Sequence, residues 1–422
     1  MKILTVIYVF GRGGTQRVAQ VFAEAYRQLG HDSRILALHG LVPKHDALKE
    51  FIHIWHDLSE TNLQEIKQWY PDIIHIHSHC PREAAIRLVL DHVKGGLTKV
   101  IETNVFSAPS PWADQVDVSF QLSVWAMWLF QLRGGREFPA ALVPNPVICR
   151  NFRPGSEVEK GAFRKTYNIP QDAFLIGRIG RPAEWSWSPL LLRAFNDLAG
   201  KYNNLYLVAV GPSPAIVNGM AASPYKQRIV IIPVIAGDEN LSVAYSSFDL
   251  MVHVAEGGES FGLVNAESIL CGTPVVTLST PWNSNSQCEV VGNMKGGYVV
   301  NSLGGIKKAI KHFMKNRDKM QFADKGGEHI RQNYDHLLVA RKAIECALRP
   351  AGQIPDGGSF VNGRISEILT DTFDRSCFLT RILISMNNNR ARKLTIYTSS
   401  YRPLYQLPRS LFKKRLRKRT SG

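Results

Sequence analysis

The sequence predicts an α/β protein of two doubly wound domains that face each other across a cleft, with a basic C-terminal extension. Three observations favour this fold class. Short apolar runs alternate with amphipathic helical patterns, as they do in parallel β/α units. The alternation restarts after a segment rich in Pro, Gly and charge, about a third of the way along the chain. The runs are continuously apolar, so both faces of each sheet are expected to be covered by helices.

The first domain is expected to begin with a buried strand. Its opening run, MKILTVIYVF, breaks into GRGG rather than into a small-residue cleavage site, which favours a strand over a signal peptide. The further strands predicted here are DSRILALHG, PDIIHIHSH and LTKVIETNVF, and the helices are TQRVAQVFAEAYRQLG and ETNLQEIKQWY. No apolar run approaches the roughly 18 residues that suggest a membrane span.

The second domain repeats this alternation. Its predicted strands are FLIGRIG, LYLVAVG, RIVIIPV, DLMVHVA and TPVVTLS, and its helices include SPLLLRAFNDLAGKY and ESFGLVNAESILCG. We place the hinge between Pro144 and Gly155, the first domain at 1–148, the second at 149–348, and a poorly ordered extension at 349–422. Open α/β sheets bind ligands at the carboxyl ends of their strands, so the cleft between the domains is the expected binding site.

The formal net charge of +16 belongs mainly to the tail of the chain. Residues 390–422 hold eleven Lys or Arg and no Asp or Glu. In LPRSLFKKRLRKR, Leu and Phe interleave with the cations, so the tail is either a solvated, disordered segment or a surface that adsorbs to an anionic membrane. We favour the membrane. Nucleic-acid binding is disfavoured because no reader motif accompanies the charge.

Two carboxylates flank a glycine-rich turn in the segment EGGESFGLVNAESILCGTPVV. Glu259 and Glu267 are separated by seven residues, and the turn before the helix is expected at the cleft. The amides of Phe261, Gly262 and Leu263 would lie at a helix N-terminus, which is a natural site for phosphate. Carboxylates accept hydrogen bonds, so their natural partners are hydroxyls. A ligand that has hydroxyls, then phosphate, then hydroxyls along its length is a nucleotide sugar.

This block resembles the E-x7-E signature of the retaining glycosyltransferases of family 4, which have the two-domain GT-B fold. The resemblance covers roughly residues 1 to 345, and six blocks occur in the order of the family. They are GRGGTQR, PDIIHIH, VPNPV, IGRIGRP, VAVGPSP and the glutamate block itself.

The resemblance implies a role for each matching position. Glu259 would hold sugar hydroxyls, Glu267 the ribose diol, and Arg181 the charge that develops on the leaving nucleotide. Transfer with retention is ascribed to same-face attack, with the leaving phosphate taking the acceptor proton. The catalytic residues would be Glu259 and Arg181; the donor-binding residues Ser186, Gly211, Ser260, Phe261, Gly262, Leu263 and Glu267; and the phosphate or acceptor side Gly13, Gly14, Arg17, His79 and Asn104.

No cofactor and no metal ion are expected. The chain has no Asp-x-Asp pair, and its six cysteines form no Cys-x-x-Cys pair. His75, His77 and His79 fall on one face of a strand, but a buried strand without a carboxylate or thiolate nearby favours packing over a metal site. GRGGTQR is not a dinucleotide fingerprint, because position 16 holds Gln where that motif needs Gly.

Two positions depart from the family pattern. The lysine that usually follows Arg181 by five positions is Ser186, which brings no charge. Either a nearby Arg or Lys supplies that charge, which we favour, or the protein binds its donor without efficient turnover. Asn104 stands where many relatives carry a histidine that faces the sugar, which affects the expected donor preference rather than the fold.

The sequence therefore predicts a cytoplasmic, metal-independent glycosyltransferase at the inner face of the membrane. Its partners would be a UDP- or GDP-linked sugar and a glycan or lipid-linked glycan in surface polysaccharide or lipopolysaccharide synthesis. Two alternatives stay open. One is a nucleotide-sugar 2-epimerase of the same fold, and the other is a catalytically weak homologue that binds nucleotide sugar as a partner subunit.

Overall fold

The computed structural model describes residues 1–9, 13–39, 52–78, 84–255, 257–281, 283–316, 319–350 and 358–374. It contains two parallel sheets, which confirms the predicted fold class. The first sheet has seven strands in the order β3-β2-β1-β4-β5-β6-β7. These strands are β1 Lys2–Val9, β2 Asp32–His39, β3 Ile54–Trp55, β4 Ile73–His77, β5 Lys99–Asn104, β6 Val118–Gln121 and β7 Ala140–Leu142.

The second sheet has six parallel strands in the order β10-β9-β8-β11-β12-β13. These strands are β8 Phe174–Ile179, β9 Leu205–Val210, β10 Ile229–Ile232, β11 Leu250–His253, β12 Val275–Leu278 and β13 Gly297–Val300. In both sheets the strand order reverses beside the first strand of the domain. That reversal opens a crevice at the carboxyl ends of the strands, where doubly wound folds bind ligands.

Helices cover both faces of each sheet, so most strand residues are buried. The helices are α1 Gly14–Gln28, α2 Glu60–Trp69, α3 Ala84–Val93, α4 Val124–Leu132, α5 Glu157–Thr166, α6 Pro189–Ala199, α7 Pro214–Ala221, α8 Asp238–Ser247, α9 Leu263–Leu270, α10 Gln287–Val291, α11 Leu303–Lys315, α12 Lys319–Tyr334, α13 His336–Leu348 and α14 Gly358–Thr370. Among the described residues, no helix is both long and apolar enough to cross a bilayer.

The chain returns to the first domain after α12. The backbone of Val147, at the hinge, pairs with the turn between α12 and α13, donating to Tyr334 at 2.8 Å and accepting from His336 at 3.0 Å. From there α13 packs against α1, and its apolar face shares a core with Val18 and Phe22. The hinge therefore consists of two neighbouring segments of chain rather than one.

Residues 358–374 lie in the extension that was expected to be poorly ordered, but they form α14 and a following turn. The apolar side chains of Val361, Ile365, Ile368 and Leu369 are buried against α4. Their spacing of three and four residues places them on one helix face, which accounts for the order. The basic segment 390–422 lies outside the described residues.

The two domains also meet at the start of α4. Glu289 of α10, in the second domain, accepts hydrogen bonds from the backbone amides of Val124 at 3.0 Å and Trp125 at 2.9 Å. The hydroxyls of Ser123 and Ser286 lie 2.7 Å apart beside this contact. The N-terminus of α4 is thus capped from the opposite domain, which fixes the two domains relative to each other.

Replacing Glu289 with alanine should therefore destabilise the protein by about 2–4 kcal/mol, because two amides at a buried helix N-terminus lose their acceptor. Urea unfolding of wild type and variant measures the difference. Glu137→Ala, which removes an exposed carboxylate elsewhere in the first domain, is the matched control and should change stability by less than about 0.5 kcal/mol. A Glu289→Ala variant as stable as this control would show that the interdomain cap contributes nothing.

Candidate active site

A cavity of ≈ 280 Å³ lies between the two domains, at the carboxyl ends of their central strands. The first domain contributes Gly14, Thr15, Arg17 and Val105. Ten of the residues proposed from the sequence lie around it, namely Gly14, Arg17, Arg181, Ser186, Glu259, Ser260, Phe261, Gly262, Leu263 and Glu267. Residues that are far apart in sequence therefore meet at the predicted cleft.

Glu259 lies in a cluster of positive and ionisable side chains. Its carboxylate Oε1 is 3.2 Å from Nε2 of the buried His253, although the ring nitrogen is not well aligned for a hydrogen bond. Burial alone would raise the pKa of Glu259, but the interaction with His253 and the charges of Arg178 and Arg181 outweigh it, so the pKa lies below its usual value. Burial, together with the charge of Arg178, lowers the pKa of His253 to about 4. Near neutral pH the site therefore holds a carboxylate beside a neutral imidazole.

Glu267 joins the two domains. Its Oε1 accepts a hydrogen bond from Arg17 of α1 at 2.7 Å, and its Oε2 accepts one from the Tyr245 hydroxyl at 2.8 Å. The other end of the Arg17 guanidinium is 3.0 Å from Asp238 at the start of α8. Burial raises the pKa of Glu267, although Arg17 and Tyr245 act against this shift. A carboxylate has about four lone-pair sites, and these two hydrogen bonds occupy two of them.

Two helix N-termini face the cavity from opposite sides. α1 begins at Gly14, and α9 begins at Leu263 after the turn that carries Glu259. The first amides of a helix have no partner within it, and the helix dipole adds positive potential there. Gly258 has φ +66°, and a Cβ at this position would lie 1.8 Å from the Ser284 carbonyl oxygen, so only glycine fits the turn. The cavity therefore suits an anionic group between the domains.

Arg181 and Ser186 border the same cavity from the loop after β8. Arg181 is exposed, and its guanidinium stacks over the Trp185 ring at 4.7 Å. Ser186 is buried, and its backbone carbonyl accepts a hydrogen bond from Arg178 at 2.8 Å. The roles of Arg181 and Ser186 stay predictions, since contacts with a donor define them.

Several residues around the cavity were not singled out from the sequence. Arg178 and His253 are ionisable residues within otherwise apolar strands, FLIGRI and LMVH. Such residues near the carboxyl end of a buried strand are a signal that could have found both. Tyr245 and Asp238 carried no such signal, because α8 is polar along much of its length.

Three proposed residues do not line the cavity. Gly13 precedes α1. Gly211 has φ +63°, and a Cβ at this position would lie 2.5 Å from the Gly180 carbonyl oxygen, which explains why glycine is present. The Asn104 side chain binds its own loop: Oδ1 accepts from the amide of Ser107 at 2.9 Å, and Nδ2 donates to the Ala108 carbonyl at 2.8 Å. His79 lies outside the described residues.

The two described histidines of β4 are buried in packing contacts. His75 is 2.8 Å from both the Tyr26 hydroxyl and the Thr103 hydroxyl, which engage its two ring nitrogens. The His77 ring packs on His75, with the centroids 4.0 Å apart. Burial lowers the pKa of His77 to about 3, so both rings are neutral parts of the first domain's interior.

Next to Asn104, a small cavity of ≈ 30 Å³ contains the buried carboxylate of Glu102. Burial raises the pKa of Glu102 to about 7, although Trp112 donates a hydrogen bond to it at 3.0 Å. The folded state thus binds this proton more tightly than the unfolded chain, where the value is near 4.5. The stabilisation is full below about 4.5 and is lost as the pH rises through about 7.

Glu102→Gln imitates the protonated acid at every pH. Between pH 5 and pH 8 the variant should gain about 2–3 kcal/mol of stability relative to wild type, at about 1.4 kcal/mol per pH unit across the titration. Urea unfolding at several pH values measures this difference in stability. The titration of His75 and His77 contributes equally to both proteins and therefore cancels in the difference. A difference that does not change with pH would contradict the raised pKa.

Comparison with known families finds a match within the second domain. Residues 159–329 match the family model of the glycosyl transferases group 1. This segment makes up most of the second domain. The matched segment includes Arg178, Arg181, Glu259 and Glu267, so both carboxylates of the cavity lie within it.

Curated relatives match part of the chain. The chain is 36% identical over 149 residues to the D-inositol 3-phosphate glycosyltransferase of Streptosporangium roseum, covering 32% of this chain and 33% of the relative. It is 27% identical over 250 residues to the protein of that name from Thermobispora bispora, covering 55% and 51% of the two chains. The matches thus span between a third and a half of these relatives.

Solved structures extend the likeness to both domains. Anabaena Alr3699/HepE, crystallised with UDP and glucose, superposes with a TM-score of 0.66 at 15% identity, over 82% of this chain and 98% of that one. A glycosyltransferase from Rickettsia africae gives a TM-score of 0.68 at 17% identity, over 82% and 97%. The chain therefore has the GT-B fold.

Proposed function

We propose that this protein transfers a sugar from a nucleotide diphosphate sugar to a hydroxyl of a glycan or lipid-linked glycan, in the synthesis of a surface polysaccharide or lipopolysaccharide. The observation that carries the proposal is the make-up of the interdomain cavity. Two carboxylates, two helix N-termini and arginine side chains face one space. Carboxylates suit the hydroxyls of sugar and ribose, while helix N-termini and guanidinium groups suit the diphosphate.

The proposed reaction proceeds with retention and without a protein nucleophile. The bond between the anomeric carbon and the phosphate oxygen breaks, and the acceptor oxygen bonds to that carbon on the same face. The acceptor proton passes to the leaving phosphate. Glu259 holds sugar hydroxyls as an ionised carboxylate, in keeping with its lowered pKa. Arginines and helix ends stabilise the charge of the leaving group, a task for which the proposal needs no metal ion.

Calorimetry of the wild type with UDP, GDP and their sugar conjugates, without added metal, tests the donor site. We expect one base to bind with micromolar affinity. The matching sugar conjugate is then offered with glycans, lipid-linked glycans and D-inositol 3-phosphate, and NMR of the product reads its anomeric configuration. Binding without turnover would favour the alternative that the protein is a partner subunit that holds nucleotide sugar. Serine in place of lysine at position 186 is the observation that supports this alternative. No binding to any nucleotide would contradict the donor site.

We also propose that the protein works at the cytoplasmic face of an anionic membrane, held there by residues 390–422. The eleven cations of this segment are worth about 1 kcal/mol each near such a surface. Sedimentation with vesicles that contain or lack anionic lipid tests this contact, with a chain ending at residue 389 as control. Binding that does not depend on the anionic lipid or on the tail would contradict it.

A further inference from the structure

Arg178 is a buried arginine that borders the interdomain cavity. Its side chain lies near the end of β8 and is 1% exposed. The guanidinium donates hydrogen bonds to the backbone carbonyls of Ile179 and Ser186 and stacks over the Trp187 ring at 4.9 Å. Within the described part of the chain, no carboxylate forms an ion pair with it, and its Nε has no hydrogen-bond partner.

A buried cation that has no carboxylate in direct contact is costly in a folded protein. The charge of Glu259 favours the protonated form of Arg178, but Glu259 does not form an ion pair with it. Moving a charge out of water is unfavourable unless an opposite charge or several hydrogen bonds replace the solvent. Two carbonyls engage two of the five N–H groups of the guanidinium, which leaves three for another partner. The adjoining cavity, with helix N-termini on two sides, is where an anion can contact these free N–H groups directly.

The position of Arg178 relative to Ser186 suggests which anion this is. Ser186 occupies the place where the family pattern has a lysine, and its side chain is 4% exposed. Since Arg178 binds the Ser186 carbonyl at 2.8 Å, its positive charge lies beside the position where that lysine would stand. Arg181, the other cation of the pattern, borders the same cavity.

We propose that Arg178 binds the diphosphate of the donor and supplies the second positive charge that Ser186 lacks. The proposal rests on the donor site described above. In this proposal the charge of the leaving diphosphate is stabilised by Arg178, a strand residue three positions before Arg181. Arg178 approaches from the buried side of the cavity, whereas Arg181 approaches from its exposed side.

Binding measurements with inorganic pyrophosphate, nucleoside diphosphates and nucleosides test the proposal. Arg178→Met should weaken binding of pyrophosphate and of the preferred nucleoside diphosphate about 10- to 100-fold, since charged hydrogen bonds are lost. Binding of the corresponding nucleoside, which lacks phosphate, should change less than about twofold. Adding Ser186→Lys to Arg178→Met should restore most of the pyrophosphate affinity, a rescue that a purely structural role of Arg178 does not predict.

Arg228→Met is the matched control. Arg228 also donates to two backbone carbonyls, at 2.8 and 2.7 Å, and also stacks on an aromatic ring at 4.9 Å, but it does not line the cavity. Its replacement should leave pyrophosphate affinity unchanged. If Arg178→Met does not fold, Arg178→Lys tests the role of Arg178 in pyrophosphate binding instead, because lysine keeps the charge while altering the carbonyl contacts. The lysine variant should retain pyrophosphate affinity within about fivefold.

Each other outcome separates the two proposals. Unchanged pyrophosphate affinity in Arg178→Met, or an equal loss for nucleoside and nucleoside diphosphate, overturns the role of Arg178. A loss of pyrophosphate binding in Arg178→Lys, or a failure of Ser186→Lys to rescue, also overturns it. Arg178-dependent pyrophosphate binding by a wild type that binds no nucleotide supports Arg178 and contradicts the donor proposal. A wild type that binds neither contradicts both.

Discussion

Replacing Glu267 with alanine is expected to weaken nucleotide binding by about 100-fold or more and to destabilise the chain by about 3 kcal/mol. The affinity falls because the proposed ribose diol loses two hydrogen bonds to a charged acceptor, each worth about 1.5–3 kcal/mol. The stability falls because the buried Tyr245 hydroxyl loses its acceptor and Arg17 loses one of its carboxylate partners. Calorimetry with the preferred nucleotide and urea unfolding measure the two effects.

Two further variants interpret this result. Glu239→Ala removes an exposed carboxylate from α8, the helix that carries Asp238, and should change neither quantity. Arg17→Met breaks the interdomain ion pair but leaves the Glu267 carboxylate in place. If the nucleotide contacts Glu267 directly, Arg17→Met should cost much less affinity than Glu267→Ala. Equal losses in the two variants would mean that the interdomain ion pair, rather than a ribose contact, controls binding.

Glu259→Gln is expected to lower donor turnover by about 100- to 1,000-fold while nucleoside diphosphate affinity changes less than about threefold. Glutamine keeps the shape of the side chain but removes the negative charge that His253, Arg178 and Arg181 surround. A preorganised charge that faces the reacting sugar contributes most in the transition state, so its loss lowers kcat more than binding.

Steady-state kinetics with the preferred nucleotide sugar, together with calorimetry using the nucleoside diphosphate, measure the two quantities for Glu259→Gln. Glu239→Gln is the control with the same chemical change at an exposed site. Turnover within about threefold of wild type would remove Glu259 from the reaction. A parallel loss of nucleoside diphosphate affinity would assign Glu259 to the nucleotide rather than to the sugar.

The fold could be predicted from the sequence because the two signals used, apolar strand runs and amphipathic helical patterns, are both local. Continuous apolar runs mark buried parallel strands, and β1, β8 and β12 lie where those runs are. The turn around Gly258 and the glutamates on either side of Phe261 could be placed for the same reason, since a helix N-terminus after a strand is a local pattern.

What the sequence could not predict depends on contacts between distant segments. Arg17 and Glu267 are 250 residues apart, and nothing near either residue indicates the partner. Glu289 is a second example. The sequence suggests a surface residue of a short helix, whereas in the structure its carboxylate accepts hydrogen bonds from the N-terminus of α4. Asn104 was interpreted by position alone, whereas its side chain binds the loop that follows it.

The packing of α13 on α1 has a consequence for how the protein is made. Val339, Ala340, Ala343 and Ile344 complete the core around Phe22, yet the ribosome adds them about 200 residues after the end of β7. At 5–20 residues per second, the nascent first domain waits roughly 10–40 s for this part of its interior.

During this interval the part of α1 that α13 covers in the folded protein lacks this partner. Limited proteolysis of chains that end at residue 335 should cut within α1 much faster than proteolysis of the full-length protein. Equal cutting rates would show that the first domain closes its core without α13. Because α13 completes the core of the first domain, a chain that is released before α13 is made lacks part of the core in the domain that was synthesised first.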